Sequence, residues 1–306
     1  MHKKLFSWLL AFTLATFAAL SVHGQESTGR PAGVIKVAKV TGQVTATKEG
    51  DTITLQAGTE IAQGYVVNTG NESSVVLAFS NGATINLAQD SSLSIDEFLQ
   101  DPFADEVSLS SLTAEPSVST TKLNLSRGEL VGNVKKLNAD AGSTFTVQTP
   151  VGAAGIRGTT FRIVFRPDGT GRAFFSLTTV EGNVVLFSGT VNMPSEVSVP
   201  DNREVEVLID VTTDPDTGVT TVTAGPSTPV VVTIPPAATL AQVVTAAQQT
   251  IQAVANVVFT STTTQNSGGT GGNTGGNTGG ENENTDETSS PPATTTTPKT
   301  TPGDGK

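Results

Sequence analysis

The chain has 306 residues, a formal net charge of −11 and no cysteine. Both of its histidines and its only tryptophan fall within the first 24 residues. A mature chain that starts after residue 24 would therefore lack His, Cys and Trp, which excludes Ser-His-Asp and Cys-His catalysis and the usual zinc ligands. Without Lys3 and Lys4 the net charge of −11 becomes −13, and this disfavours nucleic-acid binding because phosphates would be repelled.

Residues 1–24 have the features of a cleavable secretory signal peptide. Two lysines precede an almost unbroken apolar run at residues 5–20, and small residues follow up to Gly24. An uncleaved anchor is the alternative, but the apolar run is short for a membrane span of about 20 residues. We therefore expect a mature N-terminus at Gln25, a periplasmic or extracellular protein, and no transmembrane anchor after cleavage.

Short runs rich in Val, Ile, Thr and Phe follow, separated by Gly, Asn and Asp, a pattern typical of strands joined by tight turns. No helical periodicity is present before residue 237. The pattern predicts an all-β body with a β segment at 25–64, a central β domain at 65–187 and a β extension with a hairpin at 188–234. Residues 97–120 are acidic and contain proline, which predicts a surface insertion in the central domain.

Three segments of this body resemble one another: VTGQVTAT at 40–47, RGELVGNV at 127–134 and VEGNVVLF at 180–187. Each places a glycine two residues before a Val or Leu that we expect to be buried. Their spacing along the chain is irregular, which excludes a propeller or a leucine-rich repeat. The similarity favours a chain that winds through related turns of a small roll or short solenoid.

From residue 237 to residue 259, apolar residues recur at about 3.6-residue spacing after two prolines. This predicts an amphipathic helix. Its polar face lacks Lys and Arg, so packing on the β body or on another subunit is favoured over binding to a membrane surface. Residues 260–306 are rich in Gly, Asn, Thr and Pro and have no core-forming residues, which predicts a disordered tail.

The segment TPVGAAGIRGTTFRIVF at 149–165 carries a resemblance to a known family. Its T-P-x-x-x-A-G-x-R-G-T-x-F pattern, with G-x-L at 128–130 and E-G-x-V at 181–184, resembles the FecR periplasmic domain family. The upstream run that begins at Tyr65 also resembles the first half of that family's domain. The resemblance implies an all-β domain, described as a twisted β-solenoid or roll.

The best-known members of that family are transmembrane sigma-factor regulators that relay the occupancy of iron-siderophore receptors. They have a cytoplasmic anti-sigma segment, then a membrane span, then the periplasmic domain. We expect neither of the first two parts here, because a cleavable leader comes first. The resemblance thus implies a stand-alone, non-enzymatic binding, assembly or sensing module whose partner is another envelope or surface protein. It implies no cofactor, no metal site and no catalytic residue.

The family motif itself predicts a tight corner between two strands. Glycines at 152, 155 and 158 permit close backbone approach or a positive φ. A phosphate-binding loop would need a helix after the glycines, whereas a strand is predicted here. The residues that we assign to this corner are Thr149, Pro150, Gly155, Arg157, Gly158, Thr159 and Phe161.

Arg157 has two interpretations. It donates hydrogen bonds to turn carbonyls or to a nearby carboxylate, or it belongs to a basic face that binds a small anion or an acidic partner segment. The residues of that face are Arg157, Arg162, Arg166 and Arg172. A periplasmic sensor of a small anionic ligand is thus the first alternative function. A carboxylate-based hydrolase of envelope glycans, using a pair such as Glu129 and Glu181, is a less favoured one.

Overall fold

The computed structural model describes residues 29–104, 106–190 and 192–260. Within them the chain forms 20 strands, one α-helix and two single-turn 3-10 helices, Leu109–Ser111 and Ala139–Ala141. The prediction of an all-β fold with one C-terminal helix is confirmed. The predicted leader at 1–24, and the predicted tail apart from Thr260, lie outside the described residues.

The strands are short and closely spaced along the chain. The first ten are β1 (Ile35–Thr41), β2 (Val44–Lys48), β3 (Asp51–Thr54), β4 (Glu60–Ile61), β5 (Val66–Thr69), β6 (Ser74–Phe79), β7 (Thr84–Leu87), β8 (Ser92–Gln100), β9 (Val107–Ser108) and β10 (Ser119–Asn133). The next nine are β11 (Thr144–Thr149), β12 (Gly152–Ile156), β13 (Thr160–Pro167), β14 (Arg172–Glu181), β15 (Asn183–Phe187), β16 (Glu196–Pro200), β17 (Arg203–Thr213), β18 (Thr220–Ala224) and β19 (Val232–Thr233). Helix α1 (Ala237–Ala253) and strand β20 (Val258–Phe259) complete the described chain.

Eighteen of the described strands form two sheets that share β10, and β9 and β20 pair separately. The first sheet has the order β3-β2-β5-β8-β10-β11-β12-β15-β16. The second sheet has the order β4-β1-β6-β7-β10-β13-β14-β17, and both β18 and β19 pair with β17 at its outer edge. All of these pairs are antiparallel except β10 with β11, which is parallel.

The core contains alternate residues of these strands, as expected where one face of each strand is buried. On β13, for example, Phe161, Ile163 and Phe165 are fully buried. They belong to one apolar cluster that extends along the chain from Ile35 to Val211. The predicted divisions at residues 64 and 187 therefore do not separate independent cores, because strands on both sides of each division contribute to this cluster.

The predicted surface insertion at 97–120 is shorter in the structure. Residues 97–100 are the end of β8 and residues 119–120 are the start of β10, and these ends pair with each other. Phe98 and Gln100 are buried. The acidic segment therefore begins with the end of a strand, one face of which points into the core. The excursion at 101–118 includes Leu109, which is buried against the second sheet beside β20.

Helix α1 ends at Ala253, before the predicted end at residue 259. The chain then forms β20, which pairs with β9 and buries Phe259. The helix packs on the second sheet through Val243 and Ala247, which contact Val131 of β10. Two residues of the predicted apolar face, Val244 and Ile251, are instead 37% and 50% exposed, because the helix contacts the sheet with its adjacent row of side chains.

The three similar segments found in the sequence mark three of the points where the chain passes between the two sheets. Gly42 joins β1 to β2, Gly128 lies inside β10 where that strand changes sheet, and Gly182 joins β14 to β15. Their φ angles are 68°, 100° and 87°, a region that glycine adopts without the steric cost of a Cβ atom. The residue two positions later, Val44, Leu130 or Val184, is buried in each case.

Each of these glycines is covered by a Ser or Thr that follows a residue with left-handed backbone. The three pairs are Glu72 with Ser73, Asp90 with Ser91, and Gly158 with Thr159. In the first two copies, the serine Oγ accepts the N–H of the residue after the bend glycine, at 2.9 Å from Gln43 and 3.0 Å from Glu129. Thr159 of the R-G-T element is thus the third copy, but its Oγ1 has no hydrogen-bond partner.

We predict that Gly128→Ala lowers the free energy of unfolding by about 3 kcal/mol or more, because backbone strain adds to a steric clash. The new Cβ would lie 2.5 Å from the Cα of Ser91. Gly50→Ala is the matched control, since Gly50 has a φ of 94° but no atom within 4 Å of a new Cβ. Gly50→Ala should lower the free energy of unfolding only by the cost of the backbone strain, about 1–2 kcal/mol. Urea denaturation of both variants measures the difference, and equal losses would contradict the role assigned to Ser91.

Candidate functional site

The R-G-T corner joins β12 to β13. Gly158 has a φ of 65° and lies against the main chain of Lys136, where a Cβ would be 3.3 Å from the Cα of that residue. The Thr159 carbonyl accepts the N–H of Val134 at 2.9 Å. Thr159 and Phe161 are buried. These contacts explain the glycine and its neighbours through backbone geometry and packing.

Arg157 does not contribute to the corner in the way its position suggests. Its side chain is exposed, and it makes no hydrogen bond or ion pair with any residue that the structure describes. Among the described residues, no turn carbonyl or carboxylate accepts a hydrogen bond from its guanidinium. The corner is held by main-chain contacts and buried side chains, and Arg157 points away from them.

Arg162 and Arg166 both bind the same carboxylate. The Nε of Arg162 lies 2.7 Å from one oxygen of Glu129, and the Nη2 of Arg166 lies 2.6 Å from the other. Glu129 of β10 is opposite Val164 of β13, so its side chain lies between the two arginines on the outer face of the second sheet. The side chains of Glu129 and Arg162 are only 19% and 15% exposed. These two arginines are therefore parts of an ion-paired cluster and not a free basic surface.

The four arginines predicted to share one basic face do not lie together. Arg157 precedes the start of β13, whereas Arg166 is near its end and Arg172 begins β14. A strand rises about 3.3 Å per residue, which separates the backbones of residues 160 and 166 by about 20 Å. Arg172 instead adjoins the turn of Asp168, whose pKa is lowered by hydrogen bonds from the N–H groups of Thr170 and Arg172.

Two glutamates on β17 extend the cluster across the sheet, and of the two Glu204 is buried whereas Glu206 is exposed. Glu204 is 1% exposed and accepts hydrogen bonds from Ser176 at 2.8 Å and Thr178 at 2.7 Å. Burial and the nearby charge of Glu204 raise the pKa of Glu206, and Arg162 partly offsets this. The alternation in the sequence REVEVLID predicts that both glutamates point outward. It could not reveal that β19 pairs beside Glu204.

Two grooves meet at Thr149 and Pro150 of the family motif. The first, which we call the edge groove, has a volume of about 430 Å³ and lies between residues 149–152 and β18. The second, which we call the sheet groove, has a volume of about 910 Å³ and crosses the outer face of the first sheet. Its polar floor residues are Ser92, Ser94, Asn124 and Gln148. Arg127 is the one charged residue in either lining, so both grooves suit an uncharged or main-chain ligand surface better than an ion.

A third groove, of about 500 Å³, differs from these two in its charge. Arg127 and Arg166 line it together with Gln89 and Asp90. We call it the arginine groove. Arg127 is exposed and has no ion-pair partner among the residues that the structure describes. This surface, and not the corner at Arg157, is where two guanidinium groups border one concavity.

Metal ligands and membrane-spanning helices were sought in the described ranges 29–104, 106–190 and 192–260. No group of three or more His, Cys, Asp or Glu side chains there is placed to hold a metal ion. In the same ranges no helix combines the length and the apolar character needed to cross a bilayer.

Comparison with known proteins finds a family match over part of the chain. Residues 65–191 match the family model described as FecR protein, which confirms the resemblance drawn from the motif at 149–161. A search of curated proteins finds no match. Two crystal structures of a candidate anti-sigma factor from Parabacteroides distasonis ATCC 8503 match at 11% identity with a TM-score of 0.33. The match covers 53% of this chain and 60% of that protein, so the chain spans less than two thirds of its length.

We predict that Glu129→Gln lowers the free energy of unfolding by about 2 kcal/mol, because it leaves two arginines without their carboxylate, one of them mostly buried. Arg157→Ala is the matched control and should change stability by less than about 0.5 kcal/mol, since an exposed side chain without partners is lost. Chemical denaturation of both variants provides the measurement. A larger loss for Arg157→Ala would reverse our assignment of the two positions.

We predict that Glu206→Gln raises the melting temperature at pH 7. A carboxyl whose pKa is raised binds its proton more tightly in the native state, so its contribution to stability is complete below the ordinary value of 4.5 and is lost as the pH rises through the native pKa. The difference between variant and wild type should therefore disappear in acid. Melting curves from pH 3 to pH 8 test this, with the exposed Glu196→Gln as control. A lower melting temperature for Glu206→Gln at pH 7 would show that attraction to Arg162 outweighs burial.

Proposed function

Because the chain carries a FecR domain at residues 65–191, we propose that it is an exported, non-enzymatic binding, assembly or sensing module of the cell envelope. The family match is the observation that carries this proposal. The leader sequence at 1–24 supports a periplasmic or extracellular location, reached by cleavage after Gly24. The partner that we propose is another envelope or surface protein.

The sheet groove is the surface that we propose for this partner. It is broad, it is almost uncharged, and the motif residues Thr149 and Pro150 form part of its rim. Hydroxyl and amide side chains on its floor can both donate and accept hydrogen bonds, which suits the main chain of a protein segment. The turns at Gly169 and Gly218 of the second sheet also line it. Loops that border a surface formed by strands are a typical arrangement for a binding site.

Glycan hydrolysis by the pair Glu129 and Glu181 is disfavoured by the geometry. Glu129 lies opposite Val164 and Glu181 lies opposite Thr160 on the same strand, β13. Four residues of strand separate their backbones by about 13 Å along β13, whereas glycosidases place their two carboxyl groups about 5–9.5 Å apart. Glu129 is also bound by two arginines, which leaves it poorly placed to exchange a proton with a substrate.

Sensing of a small anion is a second candidate function, favoured by the arginine groove. Arg127 offers a free guanidinium there and Arg166 a partly used one. Titration calorimetry with citrate, a small polycarboxylate, tests this candidate. Binding that is lost in Arg127→Ala and kept in Arg157→Ala would support it. A binding free energy of about −4 kcal/mol corresponds to a dissociation constant of about 1 mM. If citrate at about 1 mM gives no heat of binding, small polycarboxylates are ruled out as ligands.

The protein-binding proposal predicts cross-links at the rim of the sheet groove. A photo-reactive amino acid is introduced at Ser126 or Thr217 in the chain expressed in its native envelope, and at Thr52 of β3 as an equally exposed control. We expect an adduct with a second protein from the two groove positions only. The same sample should show a mature N-terminus at Gln25 in the envelope fraction. A retained leader in the cytoplasm, or equal adducts from Thr52, would contradict the proposal.

A further inference from the structure

The C-terminal part of the described chain differs from the rest in its charge. Residues 217–280 contain no Asp, Glu, Lys or Arg, although charged residues make up 15% of the whole chain. Within the described residues this uncharged segment forms β18, β19, α1 and β20. The absence of charge from so many surface positions calls for a physical reason, because exposed positions are normally rich in charged side chains.

The same segment exposes most of the large apolar side chains that reach the surface. Eight such side chains are exposed in the described residues, and three of them, Ile53, Phe187 and Leu208, lie elsewhere. The other five are Val219, Val231, Ile234, Val244 and Ile251. Apolar exposure concentrated in an uncharged segment is typical of a surface that contacts another protein chain.

Strand β18 presents a free edge within this segment. Among the described strands only β17 pairs with it, and its other side borders the edge groove. Natural edge strands are usually protected from pairing by charges or proline. The edge strands of the first sheet follow this rule, since β3 begins with Asp51 and β16 contains Glu196 and Pro200. The sequence of β18 is TTVTA, which has neither.

We propose that β18 pairs antiparallel with β18 of a second copy of this chain, so that the second sheets of two molecules join into one. A twofold axis at Val222 would overlap all five residues of both strands, with Val222 opposite its counterpart and Thr221 opposite Thr223. Such an interface must be complementary to itself. Threonine pairs and an uncharged strand meet that requirement, whereas any charged residue near the axis would face its own copy.

The net charge of −11 favours this edge over other surfaces for self-association. Two acidic molecules repel each other, and an uncharged edge is where they approach at least cost. Gly225 and Pro226 end β18 and limit the new pairing to a short stretch. A pairing of this size buries less surface than a standard interface, so the dimer should be reversible and concentration-dependent. Because Thr220 of β18 also lines the sheet groove, this interface adjoins the surface proposed for the partner protein.

A disulfide trap tests the pairing directly, because the chain contains no cysteine. Val222→Cys places one thiol on each side of the axis, and opposite residues of antiparallel strands are close enough for a disulfide. We expect mild oxidation of the purified mature chain to give a covalent dimer with this variant. Thr52→Cys on β3 is the control and should remain monomeric. Equal cross-linking of both variants, or none with Val222→Cys, would overturn the proposal.

Sedimentation of the cysteine-free chain provides a second, independent measurement. We expect the mass to rise from monomer to dimer with concentration, and to rise further with added salt as the repulsion between acidic copies is screened. Thr221→Lys with Thr223→Lys should raise the dissociation constant about tenfold or more, since the lysines must be desolvated, and Thr52→Lys should leave it unchanged. Because Thr221 and Thr223 are both exposed, the lysine variant should still fold, and circular dichroism checks this. A monomer at about 1 mM, a loss of dimer with salt, or unaltered dimerisation of the lysine variant would each overturn the proposal.

Discussion

The passage of β10 from one sheet to the other is the constraint on which the rest of the structure depends. Residues 119–127 of β10 pair with β8 in the first sheet, and residues 128–133 pair with β7 and β13 in the second. One continuous strand can do this only if its backbone bends sharply. Gly128 provides the bend, and Ser91 fills the space that a side chain would take and accepts the N–H of Glu129. The two sheets are therefore held face to face by the covalent chain as well as by their core.

This bend also determines the chemistry of the outer surface. Because Leu130 returns to the core after Gly128, its neighbour Glu129 must point outward, beside β13. There it meets Arg162 and Arg166, which lie two residues on either side of the position opposite to it. The charged cluster thus follows from the register of two strands, and it leaves Arg157 outside because that residue precedes the strand. Arginines that are close together in the sequence are thus separated by the fold. Arg162 and Arg166 form ion pairs, whereas Arg157 forms none with the described residues.

The predictable features of this protein are those set by local pattern. Alternation in the sequence puts Phe161, Ile163 and Phe165 on one face of a strand, and the structure buries that face. The three similar segments contain the bends at Gly42, Gly128 and Gly182. The features that could not be predicted depend on contacts between residues that are distant in sequence. The pairing of Arg162 with Glu129 needs the β10–β13 register, and the burial of Glu204 needs β19. The sequence predicts one broad apolar face on the helix, but the sheet buries Val243 and leaves Ile251 half exposed. Which of these side chains is buried depends on the shape of the sheet beneath the helix.

The distribution of charge across the second sheet connects these observations. Its middle strands bear opposite charges, of which Glu129 pairs with Arg162 and Arg166. Its last strands, β18 and β19, bear none, and apolar side chains are exposed beside them. A sheet that ended in charged residues would resist lateral pairing, since an added strand would have to desolvate them. The absence of charge removes that resistance at one edge only. An acidic protein with a single uncharged edge can associate in one direction while it remains soluble in the others, which is the property that an assembly module requires.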